Sequence, residues 1–552
     1  MIDQADWWRR AVIYQIYPRS FQDSDGDGIG DLRGIISRLD YVRDLGVDGI
    51  WLSPTFPSPM KDFGYDVADY CGVDPTFGTL DDMDALIEGC HARGLKLLLD
   101  WVPNHTSDQH PWFLDSRSSL DNPRRDWYFW RDPSPEGGLP NNWLSNFGGP
   151  AWTLDEATPQ YYLHSFLKEQ PDLNWRNPDV EKAMHDVLRF WLDRGVDGFR
   201  MDVIGMILKH PELADNPPNP RWLEGMPEFL RYLPVNNRNF PGVIEKIRGL
   251  RSVLDEYPER MAVGEVYGTA EEVAQYYGAD QLDGLHMTFN FNLIVDRSWR
   301  LVPWRASAIA QVVVESQATL PSGAQACWAI GNHDQPRFVN RHNEDGWGEE
   351  RARAAALLVL ALTGTPFLYY GDELGMLNGG IPEARLQDPA RFRARGRDPE
   401  RIPMPWDASS TRGFSTGEPW LPYGPAEINV ADQDGDPSSL LNLNRRALAI
   451  RRGEASLNSG GFRPVAAKED LYVFQRRLEG SASVLVLLNT SVEPASTHIS
   501  IDYSKVLLAS TMDAEARLTK ALQRAARTRD GQVEVTIPGL AAAWLTTGEQ
   551  GG

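Results

Sequence analysis

The sequence has few cysteines and a deficit of positive charge. Only three cysteines occur among 552 residues, at Cys71, Cys90 and Cys327. None has the CxxC spacing and the total is odd, so neither a disulfide framework nor a thiolate zinc site is indicated, and a reducing, cytoplasmic location is expected. The 55 Lys and Arg against 77 Asp and Glu give a net charge of -22. Such a surface repels phosphates, so a nucleic acid partner is not expected.

Long hydrophobic runs are also missing. The longest, residues 354–362, spans about nine residues where a bilayer requires roughly 20. Residues 1–6 carry acids and no apolar stretch, which does not fit a secretory signal. No membrane partner is therefore expected. What the sequence does have is aromatic residues, 19 Trp, 18 Tyr and 20 Phe. Aromatic faces mostly build cores, but they also pack well against apolar faces of ligands such as sugars.

Helical patterns and apolar runs alternate along most of the chain. Three amphipathic segments end at Gly46, Gly94 and Gly195, each followed by an apolar run. Glycine suits the left-handed position just after a helix, and strands that are apolar on both faces favour a parallel sheet between helices. Eight strands are predicted, at 11–18, 47–53, 95–104, 196–202, 261–266, 284–291, 325–330 and 366–370. Eight alternating units predict an α/β fold, a closed (β/α)8 TIM barrel.

Two regions depart from this alternation. Residues 105–174 are rich in Trp, Pro, Gly and Asn and too long for an ordinary loop, so they predict a small inserted domain after strand three. Residues 459–552 contain short strands, including 471–475, 483–488 and 532–537, and predict a C-terminal antiparallel β domain. The barrel would then comprise 1–104 and 175–458. A Pro- and Arg-rich excursion at about 376–424 follows strand eight and is placed to reach back over the barrel mouth.

Polar residues follow the predicted strands, where a barrel of this kind carries its active site. Arg200 and Asp202 are two apart on one strand and so point to the same side. A guanidinium beside a carboxylate favours the ionised form, which would suit Asp202 as a nucleophile. Glu265 has no cation next to it in the sequence, a setting that would raise its pKa. The alternative for Arg200 and Asp202 is a structural ion pair.

A loop after the first strand has acidic residues at alternate positions. Its oxygen donors would be Asp23, Asp25, Asp27, the Ile29 carbonyl and Asp31, with glycines between them, as in an EF-hand loop. It departs from that motif because Gly34 occupies the twelfth position and because it follows a strand. The pattern predicts a structural Ca2+ or Mg2+ site, with a metal-free turn as the alternative.

Four motifs together identify a resemblance. They are Asp-Trp-Val-Pro-Asn-His at 100–105, Gly-Phe-Arg-Met-Asp at 198–202, Gly-Glu-Val-Tyr at 264–267 and Asn-His-Asp at 332–334. In this order, each at a predicted strand end, they resemble glycoside hydrolase family 13, the α-amylase family, and within it the α-glucosidase and oligo-1,6-glucosidase group. The resemblance covers nearly the whole chain. It implies a retaining glycosidase with Asp202 as nucleophile, Glu265 as general acid and base, and Asp334 as transition-state stabiliser.

The resemblance also implies a sugar pocket. His105 and His333 match positions that hydrogen-bond the first sugar, Tyr65 would stack under its ring, and Arg200 completes the group. Asp62 with Arg401 would close the pocket, and Phe147 would line it from the inserted domain. A closed pocket implies exo-action on short oligosaccharides. Family members also carry a metal ion in the acidic loop.

Val203, directly after the proposed nucleophile, bears on specificity. In the resembling group, valine at this position accompanies enzymes that accept α-1,6 links. Its alternative explanation is packing at a strand end.

Other functions stay open at this stage. A transglucosidase or sucrose isomerase would use the same residues; the charged isomerase motif is not evident, although the arginine-rich stretch 391–395 lies in that region. Amylase-like ectodomains of amino-acid transporter subunits carry a membrane helix and lack the catalytic carboxylates, unlike this chain. The sequence leaves the oligomeric state open between monomer and homodimer.

Overall fold

Eight parallel strands close into a barrel in the computed structural model, which describes residues 4–296, 299–390, 396–526 and 531–547. The strands in chain order are β1 (Ile13–Ile16), β2 (Gly49–Leu52), β3 (Lys96–Trp101), β4 (Trp130–Arg131), β5 (Trp152–Asp155), β6 (Gln160–Leu163), β7 (Gly198–Met201), β8 (Met261–Gly264), β9 (Met287–Asn290), β10 (Cys327–Ala329) and β11 (Thr365–Tyr369). The barrel order is β1-β2-β3-β7-β8-β9-β10-β11, with β11 pairing back to β1. The predicted barrel is confirmed, with strands shorter than predicted because their polar ends leave the sheet.

Helices connect the barrel strands and cover the outside. They are α1 (Leu32–Ser37), α2 (Leu39–Leu45), α3 (Leu80–His91), α4 (Pro111–Ser118), α5 (Pro178–Asp193), α6 (Val243–Leu254), α7 (Ala270–Gln275), α8 (Ala306–Thr319), α9 (Phe338–Arg341), α10 (Gly348–Ala361), α11 (Val430–Asp434), α12 (Leu440–Gly453) and α13 (Ala455–Ser459). The glycines predicted to stop helices, Gly46, Gly94 and Gly195, have φ of 100°, 72° and 102°. These left-handed conformations favour glycine because they crowd a Cβ.

The strands explain how the site is placed. Side chains alternate between the barrel interior and the helix layer, so residues two apart share a face. Leu98 and Val263 lie in the packed apolar cluster inside the barrel. Two residues further along the chain, and on the same side, come the buried carboxylates Asp100 and Glu265. On β7, Phe199 belongs to the cluster that packs against the helices. The interior is therefore apolar below and polar at the carboxyl ends of the strands.

Two further sheet regions flank the barrel. Between β3 and β7, the strands β4, β6 and β5 form a small antiparallel sheet. After the barrel come β12 (Gly461–Ala467), β13 (Leu471–Arg477), β14 (Val484–Asn489), β15 (Ala495–Ser500), β16 (Tyr503–Ala509), α14 (Met512–Ala525), β17 (Gln532–Ile537) and β18 (Ala542–Thr547). They form a five-stranded antiparallel sheet, β12-β13-β14-β18-β16, and a β15-β17 pair. No helix in the described ranges is long and apolar enough to cross a membrane.

Candidate active site

A pocket opens at the carboxyl ends of the barrel strands. Its described lining is Asp62, Tyr65, His105, Asn146, Phe147, Phe166, Asp202, Val203, Gly205, Met206, Phe229, Arg238, Asn239, Glu265, Tyr267, Trp299, Asp334, Gln335 and Arg397. Eight of the residues named from the sequence line it: the carboxylates Asp62, Asp202, Glu265 and Asp334, with Tyr65, His105, Phe147 and Val203. Arg200, His333 and Arg401 lie behind that lining and hold its members in place.

Backbone pairing positions two of the carboxylates. The Asp202 amide donates to the Trp101 carbonyl at 2.8 Å, and the Glu265 amide donates to the Met201 carbonyl at 2.9 Å. These bonds extend the β3-β7 and β7-β8 ladders by one step. Asp202 and Glu265 therefore leave neighbouring strands at the same level, which brings their side chains together.

Arg200 joins both carboxylates. Its Nη1 donates to Asp202 Oδ1 at 2.7 Å and to Asp100 Oδ1 at 2.8 Å, and its Nη2 donates to Glu265 Oε2 at 2.5 Å. All of these side chains are buried. Glu265 has no cation next to it in the sequence, but the neighbouring strand supplies Arg200. One guanidinium thus fixes the two groups against each other.

Burial also changes the charge balance of the pair. It raises the pKa of Asp202 well above its usual range, and the nearby Glu265 carboxylate adds to this, while Arg200 only partly opposes it. The sequence expectation that Arg200 alone keeps Asp202 ionised did not include these two effects. Because two close carboxylates share their protons, the pair retains a proton to higher pH than two isolated groups would.

Arg397, which the sequence did not identify, closes the pocket against Asp62. Its Nη2 donates to Asp62 Oδ1 at 2.5 Å, its Nη1 donates to Asp334 Oδ1 at 3.2 Å, and its guanidinium lies 5.1 Å from the centre of the Phe147 ring. Arg401 instead donates to Asp334 Oδ1 at 2.8 Å and to the His333 carbonyl. The pairing of Asp62 with Arg401 was therefore wrong, because the loop places Arg397 in the pocket lining and Arg401 behind it.

The neighbouring cations stabilise the ionised form of the Asp334 carboxyl. Burial alone would raise its pKa, but the guanidiniums of Arg397 and Arg401 outweigh that effect and hold the pKa far below its usual range. A fixed anion at this position can accept hydrogen bonds from sugar hydroxyls.

Tyr65 is held by a directional chain of hydrogen bonds. The Gln15 amide donates to His333 Nδ1 at 2.7 Å, which assigns the ring proton to Nε2, and Nε2 lies 2.6 Å from the Tyr65 hydroxyl. That hydroxyl donates to Asp100 Oδ2 at 3.0 Å. The Tyr65 and His333 rings stack with centroids 5.4 Å apart. His333 therefore acts in this structure as the support of Tyr65.

His105 is held in the same way from the inserted segment. Its Nε2 lies 3.1 Å from Gln170 Nε2, and the same Gln170 amide donates to Asp62 Oδ2 at 3.1 Å. Burial lowers the pKa of His105 to about 4, so the ring is neutral near pH 7. A neutral imidazole can accept as well as donate a hydrogen bond to a sugar.

Val203 adopts an uncommon backbone conformation. Its φ of 36° and ψ of 40° are left-handed, which is unfavourable for a β-branched residue. Its amide donates to Glu265 Oε2 at 3.2 Å. The strained turn thus places the Val203 side chain in the pocket and directs the Val203 amide to hydrogen-bond Glu265.

Several pocket residues were missed because no local pattern marks them. Phe166, Phe229, Arg238 and Trp299 come from loops whose approach depends on the whole fold. Tyr267 stands inside the Gly-Glu-Val-Tyr motif and lines the same pocket as Glu265, whose charge adds to burial in raising the pKa of Tyr267, so its place in that motif was a usable signal. The arginine-rich stretch 391–395 lies outside the described residues.

The acidic loop gathers three carboxylates. One oxygen each from Asp23, Asp25 and Asp27 lie within 4.8 Å of one another. Asp31 accepts from Ser24 and from the Gly34 amide at the start of α1. Three carboxylates converging in this way match the oxygen donors of a hard cation. Their charges also add to burial in raising the pKa of Asp27.

Residues 15–460 match the family described as "Alpha amylase, catalytic domain". A probable α-glucosidase of Rhizobium meliloti is 45% identical over 90% of this chain and 91% of its own, and an oligo-1,6-glucosidase of Heyndrickxia coagulans is 41% identical over 92% and 96%. The crystal structure of an α-glucosyl transfer enzyme superposes with a TM-score of 0.88 at 39% identity, covering 98% of this chain and 99% of that one.

Proposed function

The chain belongs to the α-amylase family of glycoside hydrolases, and from that premise we propose that it is a retaining, exo-acting α-glucosidase. It removes terminal α-linked glucose from short oligosaccharides and accepts α-1,6 links. One observation carries the proposal. Arg200 holds Asp202 and Glu265 side by side in a pocket that Asp62, Arg397 and Asp334 close at one end.

The proposed mechanism needs one proton on the carboxylate pair. Glu265 donates it to the glycosidic oxygen while Asp202 attacks the anomeric carbon, which forms a covalent glucosyl-enzyme and releases the remaining sugar. Glu265 then takes a proton from water as the water attacks the same carbon from the other face, the bond from that carbon to Asp202 breaks, and the anomeric configuration is restored. The raised pKa of Asp202 supports this scheme, because a proton bound between two carboxylates this close is shared by both.

The closed end of the pocket supports exo-action. Arg397 forms ion pairs with Asp62 and Asp334, and all three residues line the pocket, where they would bind the terminal sugar. Tyr65 and His105 complete this set. A polymer could not continue past these residues, so only a chain end fits.

Val203 is proposed to favour α-1,6 links, as its place in the pocket lining and in the left-handed turn suggests. We expect kcat/KM to be higher on isomaltose than on maltose. Val203→Thr keeps the branching and volume but adds a hydroxyl, and should lower the isomaltose-to-maltose ratio about tenfold. Steady-state kinetics on both sugars measures this. A strong maltose preference that Val203→Thr leaves unchanged would remove Val203 from the explanation.

Transfer to a second sugar is the alternative outcome for the same covalent intermediate, and similarity to an α-glucosyl transfer enzyme favours testing it. The products from isomaltose, maltose, sucrose and trehalose separate the cases. Free α-glucose indicates hydrolysis, longer oligosaccharides indicate transfer, and a rearranged disaccharide from sucrose indicates an isomerase.

A structural Ca2+ or Mg2+ in the acidic loop is also proposed. Asp23, Asp25 and Asp27 would hold it, with Asp31 and the Ile29 carbonyl nearby, and its role would be to neutralise their mutual repulsion. The loop contacts the excursion at 376–424, since Ser415 donates to Asp23 Oδ2. The ion would therefore tie that segment to the barrel.

Calcium is expected to raise the melting temperature. At 100 times its dissociation constant a ligand stabilises by about 2.7 kcal/mol, which for a chain of this length corresponds to roughly 2 °C. EDTA should reverse the change, and Asp27→Ala should abolish it. Scanning fluorimetry with EDTA, Ca2+ and Mg2+ in turn measures it. Equal melting temperatures in all three conditions would count against the ion.

We also propose that the protein is cytoplasmic and that it is a monomer or a homodimer. The three cysteines Cys71, Cys90 and Cys327 are free thiols, as a reducing compartment maintains them.

A further inference from the structure

A cavity of about 230 Å³ lies at the end of the barrel away from the catalytic carboxylates. Its residues precede or begin barrel strands: Val12 comes before β1, Asp48 before β2, and Lys96 starts β3. The active site pocket lies instead at the carboxyl ends of the strands. As described, the two spaces share no lining residue, so this cavity is separate from the site of catalysis.

The charged side chains of the described lining are mostly cations. They are Arg10, Lys96, Arg451 and Arg452, with the carboxylate Asp48 among them. This balance is opposite to that of the whole chain, in which 77 Asp and Glu exceed 55 Lys and Arg. Cations that line a concave surface focus a positive potential there, which favours the binding of an anion.

Two of these cations have carboxylate partners. Arg452 Nη2 lies 2.8 Å from Asp48 Oδ1, and Lys96 Nζ lies 3.0 Å from Asp197 Oδ1. Each pair brings a negative charge next to a positive one. The charge that attracts an anion therefore comes from the other two cations.

Those two cations, Arg10 and Arg451, have no ion pair with a described residue. Arg10 is half-buried, and its side chain makes no hydrogen bond with the part of the chain that the structure describes. Arg451 is 1% exposed and bonds to backbone carbonyls, while its Nε has no hydrogen-bond partner among the described residues. Burial lowers the pKa of Arg451 only to about 10, so both guanidiniums are charged at pH 7. Two positive charges in the cavity thus lack an ion-pair partner.

The charge and size of the cavity suit a small phosphate compound. A phosphate monoester carries close to two negative charges above pH 7, and guanidinium forks bind phosphate oxygens in pairs. Drug-sized ligands occupy about 300–1,000 Å³, so a smaller organic part is expected here. Trp7 and Leu448 provide an apolar wall for it. Asn458 accepts from Ser459 through Oδ1, which leaves its amide hydrogens for a ligand oxygen.

From this arrangement we propose that the cavity binds a phosphate group, carried by the monoester of a small polyol or free as inorganic phosphate. Arg10 lies in the N-terminal segment before β1, and Arg451 lies on α12. An anion between them links these distant parts of the chain. Its effect is on stability and not on catalysis, because the catalytic carboxylates lie at the other end of the barrel.

The test is to measure the binding of inorganic phosphate and of glycerol 3-phosphate at pH 7.5. Isothermal titration calorimetry gives the dissociation constants, with sodium chloride keeping the ionic strength equal and EDTA excluding effects of divalent cations. Each bound compound should raise the melting temperature by about 2 °C at 100 times its dissociation constant. Tighter binding of glycerol 3-phosphate indicates a monoester as the ligand, and equal or tighter binding of inorganic phosphate indicates the free ion. Neither heat of binding nor a thermal shift with either compound would overturn the proposal.

A pair of neighbouring arginines locates the site. Arg10→Gln should raise the dissociation constant at least about tenfold, because it removes a charged donor that has no other partner. Arg9→Gln is the matched control. It removes the same charge one residue away, but Arg9 bonds to Asp6 and to the Gly323 carbonyl and does not line the cavity as described. Its dissociation constant should stay within twofold of the parent value.

Asp48→Asn should act in the opposite direction. It removes the carboxylate from the described lining but keeps an oxygen that can accept from the Val12 amide. Loss of this repulsion should lower the dissociation constant about threefold. The Arg9, Arg10 and Asp48 variants should all retain kcat/KM on isomaltose within twofold.

Two further outcomes would also overturn the proposal. Equal weakening by Arg9→Gln and Arg10→Gln would show a general effect of surface charge. An unchanged dissociation constant in Arg10→Gln would place the anion elsewhere. Neither outcome depends on which sugar the enzyme cleaves, so this test is independent of the proposed α-glucosidase function.

Discussion

Asp202→Ala is expected to lower kcat on isomaltose by about 10⁴-fold or more, because no other group can form the covalent intermediate. In the structure, Asp202 is the carboxylate that leaves β7 beside Glu265, and Arg200 orients both. Removing the side chain leaves a small gap at the position of attack. The fold should persist, since Arg200 keeps its bonds to Asp100 and Glu265.

Azide separates the roles of the two carboxylates. In Asp202→Ala, azide can enter the gap and attack the α-glucoside directly, which inverts the carbon and gives β-glucosyl azide. In Glu265→Ala, Asp202 still forms the covalent intermediate from an activated substrate such as an aryl α-glucoside. Azide then attacks from the opposite face and gives α-glucosyl azide. Nuclear magnetic resonance of the product distinguishes the two anomers.

Two results would contradict the assignment. Parent-level cleavage by Asp202→Ala would show that another group attacks the sugar. Exchanged anomers, α from the Asp202 variant and β from the Glu265 variant, would show that the roles are reversed. Asp100→Asn is a useful comparison, because Asp100 also bonds Arg200 but does not line the pocket as described. The Asp100→Asn variant should retain measurable activity, and azide should not increase that activity.

The barrel and the catalytic motifs were predictable because both are local patterns. Several strands are apolar runs of a few residues after a helix stop such as Gly195, and Asp202 and Glu265 each stand directly after a strand. Leu98 with Asp100 and Val263 with Glu265 show why: the same face changes from apolar to polar over two residues. Closure of the barrel then brings the strand ends together.

Contacts between distant segments were not predictable in this way. The sequence places Arg397 and Arg401 four residues apart in a loop, and only the path of that loop decides which one meets Asp62. It likewise could not show that Arg200 on β7 reaches Glu265 on β8, or that burial opposes Arg200 in setting the pKa of Asp202. Helix α14 was missed because the region was read from its strands, although its amphipathic pattern was present.

A buried arginine outside the pocket, Arg451, contributes to stability. Arg451 on α12 is 1% exposed and bonds only to backbone among the described residues. Its Nη1 donates to the Leu360 carbonyl at 2.5 Å and to the Leu362 carbonyl at 3.2 Å, and its Nη2 donates to the Gly364 carbonyl at 2.7 Å. These carbonyls end α10 and lead into β11. Burial lowers the pKa of Arg451 only to about 10, so it is charged at pH 7 and interacts favourably with the negative end of α10.

Arg451→Met is expected to destabilise the protein by roughly 3 kcal/mol, because methionine fills much of the space but leaves three buried carbonyls without their donor. Unfolding entropy is about 2.1 cal/mol/K per residue, so if all 552 residues unfold together this corresponds to a fall in melting temperature of about 3 °C. Arg452→Met is the matched control from the next position of α12. Its side chain is 58% exposed and pairs with Asp48 at the surface, an interaction worth less than about 1 kcal/mol. Scanning calorimetry of the two variants measures the difference, and equal melting temperatures would show that water replaces the Arg451 guanidinium without loss.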